Sequence, residues 1–282
     1  MKTVWITGTG GLIGSHLVRC APSFAPNFRI ISLARQDLDL TDFAAVEKRF
    51  RADQPDLIIH CAAMSKTVDC QNQPALARKI NVDSVAQLAE LASGKNFIFF
   101  STDLVFDGRK GHYAETDEVN PLNAYGQTKV AAEEVVRRNP RHTIVRLALC
   151  MGRTPRGNQA FNEDLAAQWR AGKTPRLFHD EFRKPMIAPV AARAIWELAE
   201  SGQGGLYHLG GAERMSRARM GELVAARHPE LNPRVETCSL REYQGPPRSA
   251  DTSLNSAKIQ ALLSFPLPGL SAWLNENPNG EI

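Results

Sequence analysis

Val4-Trp5-Ile6-Thr7-Gly8-Thr9-Gly10-Gly11-Leu12-Ile13-Gly14 is the stretch whose reading decides the fold of this chain. Its first four residues make a short apolar strand, and glycines follow at 8, 11 and 14 with a G-x-x-G-x-x-G spacing. Gly8 permits a tight turn, Gly11 lets the backbone approach a pyrophosphate, and Gly14 lets the next helix pack closely. A helix from about Leu12 to Cys20 would aim its free N–H groups at phosphates. Glycine-rich turns are common, so the triplet alone is weak. Between a strand and a helix it meets the context that a dinucleotide-binding turn requires.

Working outward, strand and helix signals alternate. Strands are predicted at Phe28–Leu33, Leu57–His60, Phe97–Ser101 and Thr143–Leu147. Helices are predicted at Phe43–Ala52, behind an Asp42 N-cap, at Pro74–Ser93, and from Tyr125 to about Arg138. Such βαβ alternation predicts a Rossmann-type, doubly wound parallel sheet of the α/β class. Beyond Gly152 the pattern loosens. Helices are predicted near 161–171, 190–200, 216–227, 256–263 and 270–276, with one strand at Leu206–Leu209. The expected organisation is a nucleotide-binding domain over residues 1–150, joined by later segments around 186–210. A smaller, discontinuous C-terminal substrate lobe would occupy the rest of 151–282, leaving a cleft between the two.

Tyr125 and Lys129 stand four apart at the start of a helix, so they share one face. An ammonium close to a phenol favours the phenolate and would bring Tyr125 from its free value of about 10 toward the working range. Thr102 ends the apolar run Phe97-Ile98-Phe99-Phe100, at the carboxyl end of the sheet, where open α/β folds place ligands. An isolated Y-x-x-x-K is usually two exposed helix residues; the glycine turn upstream gives this one chemical meaning.

Bulk properties remove other classes. At 282 residues the chain can bury a sizeable core, and 43% hydrophobic with 23% charged residues is ordinary for a globular protein. A net charge of +4, spread along the chain, gives nucleic-acid binding no support. No apolar run approaches a membrane span of about 20 residues, and a strand stands where a signal peptide would. The 5 cysteines are scattered without a C-x-x-C, which suits a reducing cytoplasm and argues against metal or disulfides. His60, inside an apolar strand, reads as a core residue.

With these motifs in view, the chain resembles the extended short-chain dehydrogenase/reductases, and within them the dTDP-4-dehydrorhamnose reductase group. The likeness runs nearly end to end. Besides Thr7–Gly14 it includes Asp37-Leu38-Asp39-Leu40-Thr41-Asp42, Pro55–Ala63 and Ile80-Asn81-Val82-Asp83. Ser101-Thr102-Asp103-Leu104-Val105-Phe106-Asp107-Gly108 and Pro121–Lys129 form its most specific part. The resemblance implies a catalytic triad of Thr102, Tyr125 and Lys129 that reduces a nucleotide-sugar ketone with hydride from a nicotinamide. It implies cofactor contacts at Gly8, Gly11, Leu12, Ile13, Asp39, Leu40, Ala62, Ala63, Met64, Asn81, Phe100, Tyr125 and Lys129. Substrate contacts would fall at Asp103, Phe106, Leu149, Arg183 and Arg248.

The end of the second strand holds Ser32, Ala34 and Arg35, with no carboxylate before Asp37. A guanidinium there suits a 2′-phosphate, so NADP(H) is favoured over NAD(H). Two stretches depart from the group. Leu149 stands where its tryptophan faces the sugar, and Val68-Asp69-Cys70-Gln71 blurs a V-D-x-C-E segment. The expected partner is a small nucleotide sugar, with no nucleic acid and no membrane, and a homodimer is the superfamily's habit. Two alternatives stay open. One is a non-catalytic NADP-binding regulator similar to the β subunit of methionine adenosyltransferase. The other is a nucleotide-sugar epimerase.

Overall fold

In the computed structural model, which describes every residue except Glu281, six parallel strands form one sheet. They are β1 (Lys2–Thr7), β2 (Phe28–Leu33), β3 (Leu57–His60), β4 (Asn96–Thr102), β5 (Thr143–Leu147) and β10 (Gly205–Leu209), in the order β10-β5-β4-β3-β1-β2. The fold is Rossmann-like. From β1 the chain goes to β2 on one side and returns to β3 on the other. The crevice outside the carboxyl ends of β1 and β3 is therefore the topological switch point, where such sheets take ligands.

Strand residues alternate between two cores, as the pleat requires. Val4, Ile6, Ile59, Ile98, Phe100 and Val145 face one core, closed by helices α1 (Leu12–Phe24) and α8 (Ala188–Ser201). Trp5, Ile58, Phe97, Phe99 and Ile144 face the other, under α2 (Phe43–Asp53), α5 (Ser84–Leu91) and α6 (Ala124–Val136). Trp196 of α8 donates its indole N–H to Leu17 O of α1 at 3.0 Å, so residues far apart in sequence close the first face.

Two regions differ from the sequence expectation. The helix predicted over 74–93 is built in three pieces: α4 (Pro74–Arg78), a π turn (Lys79–Asp83) and α5. A further short helix, α3 (Thr67–Asn72), precedes them. Beyond the sheet, the chain uses paired strands of two or three residues: β6 (Cys150–Met151) with β9 (Met186–Ile187), β7 (Arg176–Phe178) with β12 (Glu236–Cys238), and β8 (Phe182–Arg183) with β11 (Met215–Ser216). With α7 (Phe161–Arg170), α9 (Arg217–Ala225) and the helix Leu270–Glu276 they surround a second hydrophobic centre containing Met151, Trp169, Met220 and Leu274. Strands this short carry no period-two signal, so sequence pattern does not find them. Among the described residues, no helix is long and apolar enough to cross a membrane.

Candidate active site

The glycine turn is shaped by contacts that forbid side chains. Gly8 has φ +71°, and a Cβ there would stand 2.6 Å from the amide nitrogen of Ala62, just after β3. A Cβ on Gly14 would stand 2.5 Å from Gly8 O, so α1 rides directly on the turn. Gly10 is different: a Cβ there would meet nothing within 4 Å. Gly11 is the N-cap of α1 and supplies no side-chain bond, so the N–H groups of the first turn, Leu12 and Ile13 among them, have no side-chain cap. An uncapped helix end beside open space is a seat for an anion, and it fits the pyrophosphate of a dinucleotide. Ala62, Ala63 and Met64 form the half-buried wall opposite.

At the end of β2, both nearby carboxylates are spent on the turn itself. Asp37 accepts from Ala34 N–H at 2.8 Å, and Asp39 accepts from the backbone and hydroxyl of Thr41 at 2.9 and 2.8 Å. Those two bonds hold the Asp39 carboxyl below its ordinary value, with Arg35 and Lys79 adding to the effect. Arg35 itself is exposed just beyond the end of β2, and Leu40 is half-buried.

Across the switch point, β4 and α6 bring Thr102, Tyr125 and Lys129 together. Asn123 caps α6 by accepting from Gly126 N–H at 2.9 Å, which places Tyr125 in the first turn. Lys129 is 3% exposed and donates to Phe100 O at 2.8 Å. Its Nζ lies 4.5 Å from the Phe99 ring centroid and 5.9 Å from that of Tyr125. Burial pulls the amine down to about 8, against the opposing pull of Cys61, Glu133 and Cys70. The Y-x-x-x-K spacing predicts a phenol drawn toward ionisation, and here the structure differs. The ammonium sits over the ring and bonds to a carbonyl. Burial pushes the phenol well above its ordinary value, Asp103 and Cys70 push the same way, and only the Thr102 hydroxyl opposes them. The Tyr125 phenol thus stays protonated at neutral pH.

Thr102 Oγ1 donates to Asp103 Oδ1 at 3.1 Å and accepts from Leu104 N–H at 3.2 Å. Asp103 is 4% exposed, and burial raises its carboxyl while Arg183, Thr252 and Thr102 hold it down. Arg183 Nε reaches Asp103 at 3.3 Å and its Nη2 reaches Glu181 at 3.0 Å. Its Nη1 donates to Phe182 O and Ser249 O at 2.6 and 3.1 Å. All three guanidinium nitrogens of Arg183 are therefore engaged inside the protein. Arg248 holds Glu181 in a fork, at 2.7 and 3.0 Å, while its side chain stays 27% exposed. Of the residues expected at the substrate, Phe106 is 0% exposed and stacks on Tyr113 with centroids 4.0 Å apart. Leu149 packs half-buried against the second hydrophobic centre.

Sequence reading missed how this half is braced. Asn81, in the π turn, is fully buried. Its amide accepts from Met64 N–H at 2.8 Å and donates to Met64 O and Thr128 Oγ1, both at 3.0 Å. The residue ties the wall after β3 to α6, and the π turn is what aims it there. Thr252 bonds Asp103 from 149 residues away. No local signal announces such a partner.

Comparison with known proteins places this geometry. The family described as RmlD substrate binding domain matches residues 1–277. The chain is 30% identical to a probable low-salt glycan biosynthesis reductase, Agl14, of Haloferax volcanii, over 78% of each protein. It is 31% identical to the methionine adenosyltransferase 2 subunit beta of Danio rerio, over 78% of this chain and 72% of that protein. Among solved structures, a hypothetical dTDP-4-dehydrorhamnose reductase from Sulfolobus tokodaii superposes with a TM-score of 0.83 at 30% identity, covering 96% of this chain and 97% of the other.

Proposed function

The chain belongs to the RmlD substrate binding domain family, and from that membership we propose that it is an NADPH-dependent reductase of a nucleotide-activated 4-keto sugar. The observation that carries the reading is the meeting of Thr102, Tyr125 and Lys129 beside the glycine crevice, with the Tyr125 phenol held protonated. A protonated phenol is a donor, and a ketone gaining hydride needs a proton donor where its oxyanion develops. The reduced nicotinamide, when bound, supplies the hydride.

The remaining roles follow from position. Gly11, Leu12 and Ile13 would hold the pyrophosphate, with Gly8 shaping the turn. Arg35 would take the 2′-phosphate, and Asp39 and Leu40 the adenine. Ala62, Ala63 and Met64 would wall the cofactor, braced by Asn81, and Phe100 O would seat the Lys129 amine against the ribose. On the substrate side, Glu181 is shared by Arg183, Arg217 and Arg248, and Arg217 Nη1 is buried with no partner. Three guanidinium groups around one carboxylate, linked through Asp103 to Thr102, leave a cationic surplus that suits a sugar's diphosphate. Arg248 and Arg217 would carry that contact, with Arg183 as their internal brace.

A second reading, a cofactor-binding regulatory subunit, draws support from the fish relative. One experiment separates the two. Purified protein is offered NADPH with a panel of 4-keto nucleotide sugars, alongside Tyr125→Phe. The reductase reading expects turnover that falls by about 10³-fold or more in the variant while NADPH still binds. Binding without turnover on any sugar favours the regulator.

A further inference from the structure

Tyr125, Lys129 and Glu133 follow one another at intervals of four on α6, and the third is as deeply buried as the second. Glu133 is 2% exposed, yet every partner it needs is present. Arg146 of β5 grips it in a fork at 2.9 and 2.7 Å. Ser101, the residue before Thr102, donates to the same carboxylate at 2.5 Å. Arg137 approaches from the solvent side at 3.4 Å. Ser101 and Arg146 are register partners on adjacent strands, so one carboxylate pins α6 to the carboxyl ends of β4 and β5 together. Arg146 in turn reaches His208 Nε2 of β10 at 3.3 Å. A guanidinium only donates, so His208 accepts there and gives its Nδ1–H to Tyr113 O.

We propose that Glu133 is a positioning residue: it seats the Tyr125–Lys129 face of α6 against Thr102, and its charge, balanced by Arg146, fixes the protonation of Lys129. The amine is also faced by Cys61 after β3, by Cys70 of α3 and by neutral His60 of β3, with the Tyr125 ring at 5.9 Å. Among these, Glu133 is the carboxylate, and it opposes the effect of burial. The proposal rests on the reductase reading for what Lys129 does, but not for its charge, so the test needs no turnover.

Lysine labelled with ¹³C at Cε is followed by NMR across pH, with the Lys129 signal assigned by its loss in Lys129→Met. Glu133→Gln leaves Arg146 unbalanced and should lower the Lys129 midpoint by on the order of one pH unit. Arg146→Gln leaves Glu133 unbalanced and should raise it by a similar amount. A purely structural brace would not move the midpoint in opposite directions. Should either variant fail to fold, Arg137→Gln decides, because Arg137 is 60% exposed and its loss cannot unfold the core. It should raise the midpoint by roughly a few tenths of a pH unit. Opposite shifts in the buried variants, or that small rise in Arg137→Gln, support the proposal. An unmoved midpoint, or shifts of one sign, overturn it.

Discussion

The two halves of the crevice are built on opposite terms. The cofactor half is made by what is missing: Gly8, Gly10, Gly11 and Gly14 carry no side chain, and α1 begins without a cap. The chemical half is crowded with buried polar groups, among them Thr102, Asp103, Lys129, Glu133 and Arg146. The first half lets backbone come close to a ligand. In the second, the buried Lys129, Glu133 and Arg146 each have a hydrogen-bond partner inside the protein.

The comparison can be broken most severely at the turn. Gly14→Ala adds one methyl, but that Cβ meets Gly8 O at 2.5 Å and Gly8 C at 2.8 Å, both backbone atoms that cannot swing away. Helix α1 must lift off the turn or the turn must deform. A loss of about 3 kcal/mol or more in unfolding free energy is expected, together with loss of NADPH binding. Thermal denaturation and NADPH fluorescence titration measure the two. A variant that keeps wild-type stability and affinity would show that the half built from absences tolerates side chains after all.

This contrast also explains what could be read in advance. A glycine turn is a local requirement, satisfied within seven residues between 8 and 14, so pattern reveals it. The six sheet strands and the helices that cover them are long enough to show their period, which is why the Rossmann-like sheet was legible. The polar half depends on pairs such as Ser101 with Glu133, Asp103 with Arg183 and Asp103 with Thr252. These join residues that sequence places 32, 80 and 149 apart. Spacing found Tyr125 and Lys129 because a helix sets them four apart. It could not find Arg146, whose partner lies on another element, nor foresee that Tyr125 is held protonated. The direction of that shift follows from burial, which is a property of the assembled molecule.

A smaller break tests the brace between the halves. Asn81→Leu keeps the bulk of the side chain but removes its three hydrogen bonds, leaving Met64 N–H unpaired next to α6 and Met64 O with only the Cys70 thiol as partner. Stripping the partner from such a half-buried backbone group costs about 1–3 kcal/mol. The expected sign of a brace, rather than a ligand, is a lower Tm with NADPH affinity and turnover falling together. An intact Tm with selective loss of cofactor binding would mean that Asn81 touches the cofactor itself.

The mildest effect belongs to Arg35, just beyond the end of β2. Arg35 is exposed, with its neighbours Asp37 and Asp39 tied up in their own turns. It therefore contributes a guanidinium that solvent screens, not a desolvated ion pair. Arg35→Ala should weaken NADPH binding by about tenfold, roughly 1.4 kcal/mol, and leave NADH binding nearly unchanged. The loss should shrink as salt is raised, because a screened contact fades with ionic strength. A tenfold loss that ignores salt would place Arg35 in a dry, bidentate grip. Equal losses for both cofactors would mean that it shapes the crevice without reading the 2′-phosphate.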